Sequence, residues 1–203
     1  MEKMMRRLSL FTIFMLWLPL LHAGYENGGV ISDYADYVET FSGLLQVIDN
    51  GSAERIDIRN SASIEVWSTT PLGWLGGIWD IVLYDSSHLD YYGGETDEIM
   101  IREDATAILK GGSINGITSM QRTTSVGADP HITLYCQKDS WSWIDGNRML
   151  GIQGLWLDGT PFYIEFQNHS NYDPVYTNIN IMPEPATFAL LAAGGLLLRR
   201  RKH

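Results

Sequence analysis

A second cysteine is missing. Cys136 is the only one in 203 residues, so no intrachain disulfide staples the fold, and stability has to come from burial and backbone pairing. Cys136 itself reads two ways, as a reactive thiol open to crosslinking or as a small hydrophobe buried between Tyr135 and Gln137. Signatures of a metal or a cofactor are also wanting. His88, His131 and His169 are widely spaced and match no zinc pattern such as His-Glu-x-x-His. There is no nucleophile elbow, phosphate-binding loop or dinucleotide fingerprint either. Basic side chains are scarce where a fold would form. Of the fourteen Lys and Arg, seven (Lys3, Arg6, Arg7, Arg199, Arg200, Arg201 and Lys202) lie at the two ends, leaving seven for residues 24–182. Of the 24 acids, Glu2 and Glu184 fall outside that span, leaving 22 and a net charge of −15 for the middle. Nucleic acid is a poor partner for such a surface, because neutralising phosphates takes basic patches.

The ends are apolar and basic. Lys3, Arg6 and Arg7 precede an uncharged run from Leu8 to Leu21 rich in Leu, Phe, Ile, Met and Trp. A positive segment followed by an apolar run shorter than the roughly 20 residues of a spanning helix reads as an export signal, residues 1–23. Cleavage is expected between Ala23 and Gly24, with an uncleaved anchor as the competing reading. At the other end Ala186 to Leu198 is uncharged and is closed by Arg199, Arg200, Arg201 and Lys202. As a helix it is about 20 Å long against a hydrocarbon core of roughly 30 Å, and the basic cluster would stay on the cytoplasmic side.

Entering that helix are Pro183, Glu184 and Pro185. Pro-Glu-Pro, a short apolar helix, an arginine cluster and a terminal position together resemble the PEP-CTERM sorting signal over residues 183–203. The resemblance implies processing by an exosortase, a membrane-embedded cysteine protease or transpeptidase, in a Gram-negative bacterium that makes extracellular polysaccharide. It also implies delivery through transient inner-membrane contact to the cell surface or matrix. Pro183, Glu184 and Pro185 are then recognition residues. The two prolines would hold an extended, accessible segment just outside the membrane.

Between the tails, short alternating stretches separated by Gly, Asn, Asp and Ser predict strands nearly throughout. Residues 30–46 are the exception, where Tyr34, Tyr37, Val38, Phe41, Leu44 and Leu45 also fit one face of a short helix. An ungapped repeat aligns Ile56–Trp67 with Ile81–Tyr92 and Ile99–Lys110, apolar at its positions 1, 3, 9 and 11 around a small polar corner. Period-2 alternation puts positions 1 and 3 on one face of a strand and 9 and 11 on one face of the next. Gly93-Gly94 and Gly111-Gly112 close two copies with the positive φ such turns use, and Asn60, Asp85 and Asp104 are expected to bond at the corners. Units this small need neighbours to bury their apolar faces. The fold expected for 24–182 is therefore all-β, a short right-handed β-solenoid flanked by the signal helix and the sorting helix. An antiparallel β-sandwich is the alternative. Asp158-Gly159 between Leu155-Trp156-Leu157 and Phe162-Tyr163-Ile164 predicts a hairpin that closes the open end of the stack.

Two features bear on chemistry. Glu95, Asp97 and Glu98 form an acidic cluster, a Ca²⁺ candidate or simply a solvated face, but the Gly-Gly-x-Gly-x-Asp calcium repeat is incomplete at Gly93–Asp97. Trp and Tyr are frequent from Trp67 to Trp156. Core packing is their commonest use, and Trp67 and Tyr92, at the outward parity of the repeat, are the preferred sugar-stacking pair. No resident cofactor is expected. The function expected is a non-catalytic surface or matrix protein with extracellular polysaccharide as partner, and the alternative is a small β-helix glycan lyase or hydrolase.

Overall fold

The computed structural model describes residues 22–24, 27–73, 76–122 and 131–183. The strands in chain order are β1 (His22–Gly24), β2 (Gly29–Ile31), β3 (Tyr34–Thr40), β4 (Leu44–Val47), β5 (Ser52–Ile58), β6 (Ser63–Val66), β7 (Ile78–Leu83) and β8 (His88–Tyr91). They continue with β9 (Glu95–Arg102), β10 (Thr106–Leu109), β11 (Ser113–Met120), β12 (Ile132–Cys136), β13 (Ser142–Trp143), β14 (Gly151–Leu155), β15 (Pro161–Gln167) and β16 (Ile179–Pro183). The described residues are mostly β-strand, arranged in two sheets. Among the described residues the helical content is two single 3-10 turns, Ile144–Gly146 and Val175–Asn178.

Up to β12, successive strands alternate between two sheets. One sheet runs β1-β3-β5-β7-β9-β11-β15-β14-β13 and the other β16-β12-β10-β8-β6-β4-β2. The repeat seen in the sequence is the register of these sheets. Ile56 pairs with Ile81 and Ile81 with Ile99, while Ile64 pairs with Leu89 and Leu89 with Ala107, all in parallel. Positions 1, 3, 9 and 11 of every copy are buried, so the two sheets share one aliphatic core. The offset of 25 rather than 18 residues between the first two copies comes from the longer connection from β6 to β7.

The corners are built alike. Ala62, Ser87 and Ala105 each donate their N–H to the carbonyl three residues back, and all three are fully buried, so only a small side chain fits. Asn60, Asp85 and Glu103 take positive φ at the tip. Asp85 Oδ2 accepts the Asn60 N–H at 2.9 Å, and Glu103 Oε2 accepts the Asp85 N–H at 2.6 Å, so each tip is tied to the next. A polar ladder is present, with one correction. Its third member is Glu103, and Asp104 contributes its backbone N–H to Asp85 O instead.

The helix-like face in 30–46 is not formed. Ile31, Ala35, Val38, Thr40, Leu45 and Val47 turn inward on β2, β3 and β4, because pairing with Ile56, Ile58, Ile64 and Val66 buries more than an isolated amphipathic turn would. The expected hairpin is formed. β14 and β15 are antiparallel, and the turn is closed by the Gly159 N–H to Trp156 O at 3.0 Å, with Gly159 at φ 88°. β15 then pairs in parallel with β11 and extends the larger sheet.

Every strand from β3 to β11 in that larger sheet is bent at the same place. Buried residues are spaced by three and then by two, as in Ala53, Ile56 and Ile58, or Ile78, Ile81 and Leu83. Two consecutive side chains therefore turn outward in β3, β5, β7 and β9, and in β11 Asn115 does so beside the buried Gly116. Asp36, Glu54, Trp79, Asp97 and Asn115 occupy one stacked row, and Tyr37, Arg55, Asp80, Glu98 and Gly116 the next.

Candidate functional site

The outer face of β4, β6, β8 and β10 carries the side chains at repeat positions 8, 10 and 12. Position 12 brings together Trp67, Tyr92 and Lys110. The Trp67 and Tyr92 rings stack with centroids 3.9 Å apart and planes within 7° of each other. Lys110 Nζ sits 4.3 Å from the Tyr92 centroid and donates to Asp90 Oδ1 at 2.9 Å. The indole N–H of Trp67 donates to Glu65 Oε2 at 3.1 Å, and Gln46 Nε2 donates to the same oxygen at 2.8 Å. Stacking covers one face of each ring and Lys110 lies over Tyr92, so Trp67, 49% exposed, carries most of the strip's accessible ring surface, beside the carboxylates of Glu65 and Asp90. That combination suits the apolar face and hydroxyl groups of a sugar.

Trp67 and Tyr92, singled out in the sequence, are thus in contact. Lys110, Glu65 and Gln46 are not marked by the sequence as site residues, although positions 10 and 12 of the same alignment carry Glu65 and Lys110. The other aromatics divide by place: Tyr91 and Trp156 are fully buried, and Trp156 packs on Phe162 within the hairpin.

Thr106, His88 and Asp90 also form a hydrogen-bonded row, with His88 Nδ1 2.7 Å from Thr106 Oγ1 and His88 Nε2 3.1 Å from Asp90 Oδ2. The order resembles nucleophile, base and carboxylate. Acyl transfer needs in addition backbone N–H donors aimed at the developing oxyanion, and the ladder of β6, β8 and β10 occupies the N–H groups around this row. We read the row as a cross-strand network.

Burial works against the charge of Asp90, but the hydrogen bond and charge of Lys110, with His88 adding, outweigh it and hold the carboxyl below its ordinary range. A carboxyl depressed in the folded state contributes stability above its unfolded value of about 3.9, and that contribution is lost as pH falls through the lower folded value. The pair is partly exposed, so about 0.2–1 kcal/mol is expected. Urea midpoints at pH 7 and pH 2.5 for the wild type and Lys110→Met check this. The variant should lose less on acidification, and equal losses would show that the pair is not held in solution.

The acidic cluster is dispersed along β9. Glu95 Oε2 accepts the Leu72 N–H at 2.6 Å, Asp97 Oδ1 accepts Asn115 Nδ2 at 2.9 Å, and Glu98 accepts the Thr118 hydroxyl. Among the described residues no three His, Cys, Asp or Glu side chains are grouped to hold a metal ion. Cys136 is buried, and burial pushes its thiol above the ordinary range.

Ala23 and Gly24, flanking the expected cleavage bond, lie in β1, whose backbone pairs with β3. Pro183 is the exposed last residue of β16, paired with Cys136. Glu184, Pro185, Arg199, Arg200, Arg201, Lys202, the segments expected to form the signal and sorting helices, and signal residues 1–21 lie outside the described residues. No protein-family model, curated protein or solved structure matches this chain.

Proposed function

We propose that this chain is an exported, non-catalytic protein of a bacterial surface or extracellular matrix, sorted by an exosortase at its Pro-Glu-Pro tail, and that its body is a short right-handed β-solenoid that contacts polysaccharide. The observation that carries the glycan reading is the Trp67–Tyr92 stack, whose exposed Trp67 is flanked by Glu65, Asp90 and Lys110 on the outer face of the smaller sheet. Parallel pairing, with alternation between two sheets up to β12, supports a solenoid over an antiparallel sandwich. Export and sorting rest on the ends of the sequence and on the resemblance of residues 183–203.

The tests separate these parts. Pro183→Ala with Pro185→Ala should leave the tail attached and the protein in the inner membrane, and normal surface delivery would refute sorting by this motif. Pulldown on neutral and acidic polysaccharides, with and without EDTA and beside a reducing-end assay, tests the rest. Retention without new reducing ends supports the matrix reading, and turnover establishes instead the competing glycan lyase or hydrolase. The adjacency of Asp80 and Glu98 is what favours that competitor, since glycan cleavage uses paired carboxylates.

A further inference from the structure

We propose that the bend of the larger sheet holds a second glycan subsite, centred on Trp79, whose ligand is a polysaccharide carrying free amino groups. The proposal deepens the matrix reading by naming a ligand class, and it rests on a different face from the Trp67–Tyr92 strip.

Trp79 stands 45% exposed on a ridge between two clefts. One, of about 540 Å³, is lined by Glu54, Arg55, Trp79 and Asp80. The other, of about 460 Å³, is lined by Trp79, Asp97 and Asn115 with Leu72 and Gly73. Both fall within the roughly 300–1,000 Å³ of small-ligand sites. The bend creates the arrangement. Strict alternation would put Trp79 inside with Ile81, but the two-residue outward step turns the indole and the Asp80 carboxyl to solvent side by side. An indole ridge with an open cleft on each flank suits a chain of sugar rings laid across it.

Charge selects the kind of chain. Glu54, Asp80 and Asp97 surround the indole, and Glu98 is the cross-strand neighbour of Asp80. Arg55 shares the cleft, but its guanidinium is engaged elsewhere. Nε donates to Asp57 Oδ1 at 2.7 Å and a terminal nitrogen donates to the Tyr84 hydroxyl at 3.1 Å. The Asp80 carboxyl accepts no hydrogen bond from the described residues. Burial, and after it repulsion from Glu98, holds its carboxyl above the ordinary range despite the charge of Arg55. An ammonium group in the cleft offsets that repulsion and stacks on the indole face, where a cation gains further attraction. A neutral glycan meets the ring but leaves the carboxylates as they are, and an acidic glycan is repelled.

The experiment is calorimetric titration of the full chain with hexaglucosamine, hexa-N-acetylglucosamine and cellohexaose at two salt concentrations. Hexaglucosamine should bind at least tenfold tighter than the other two and weaken with salt. Trp79→Ala should reduce its affinity about tenfold or more, and Glu54→Gln with Asp80→Asn should remove most of the preference. Trp67→Ala, on the opposite face, should leave it within twofold. Equal binding of the three oligosaccharides overturns the assignment of charge. Binding that survives Trp79→Ala but not Trp67→Ala overturns the assignment of place. All of these substitutions are on the surface, so loss of fold does not stand in for loss of binding. No binding of hexaglucosamine refutes this subsite alone, because retention on neutral polysaccharide would still support the matrix reading. Conversely, hexaglucosamine binding accompanied by normal surface delivery of the Pro183 and Pro185 variant, or by glycan turnover, sinks the sorting or non-catalytic reading and leaves the subsite standing.

Discussion

Gly112→Ala is expected to destabilise the protein by about 2–5 kcal/mol, whereas Gly146→Ala is expected to cost only about 1–2 kcal/mol. Both glycines have positive φ, 81° and 70°, so both substitutions carry the left-handed penalty of about 1–2 kcal/mol. They differ in what the new methyl group meets. At Gly112 it would lie 2.6 Å from Gly94 O and 2.8 Å from Tyr91 Cε1, whereas at Gly146 nothing lies within 4 Å. Overpacking a dense interior adds about 1–3 kcal/mol, and here the chain cannot yield easily. The Gly112 carbonyl accepts the Trp156 indole N–H at 2.7 Å, and the neighbouring Ser113 N–H is bonded to Gly94 O. Urea denaturation of the two variants checks the difference. Equal midpoints would mean that the turns of neighbouring copies are not stacked as closely as described.

Ile81→Ala is expected to cost about 2–5 kcal/mol, the range for deleting a buried aliphatic side chain where the surroundings cannot collapse. Ile81 is fully buried between its ladder partners Ile56 and Ile99, in strands pinned by pairing on both sides. Met149→Ala, at a residue 41% exposed, should change stability by less than about 0.5 kcal/mol. Adding Ile99→Ala to Ile81→Ala should not give the sum of the single effects, because the two cavities merge. A cost for Ile81→Ala below about 1 kcal/mol, with the slope of the denaturation curve unchanged, would argue against a continuous aliphatic row.

The middle copies were legible because one chemistry recurs at one spacing. Ile56, Ile81 and Ile99, and Ile64, Leu89 and Ala107, sit at equivalent positions, and each corner has a small residue where Ala62, Ser87 and Ala105 are buried. The flanking copies were hidden for definite reasons. Thr40 stands where Ile58 and Leu83 stand in later copies, and its corner is one residue shorter, so Tyr34 to Leu45 mimicked a helical face. Ile132 and Ile179 continue the smaller sheet only after long insertions, one of which carries the hairpin. The ungapped alignment places Glu103, not Asp104, at the position of Asn60 and Asp85, and the stacked tips follow that alignment whatever the residue found there.

For the candidate sites the division is similar. Trp67 and Tyr92 could be paired from the alignment, since equivalent positions in adjacent copies lie one strand spacing apart, about 4.8 Å. Trp79 could not be placed, because alternation predicts it inside and only the shared bend of β3 to β11 turns it out.

By itself the sequence determined the strand-forming repeat, its inward positions, the closing hairpin and the acidity of the middle, because these follow from side-chain period, turn chemistry and charge within short stretches of chain. Only the tertiary structure decided which side chains meet across copies: the corner ladder through Glu103, the pairing of Lys110 with Asp90, and the Trp79 ridge between its clefts. Those contacts join residues far apart in the chain; the repeat supplies the register, but which side chains bond across it, and where the larger sheet turns two residues outward, follow from packing between copies.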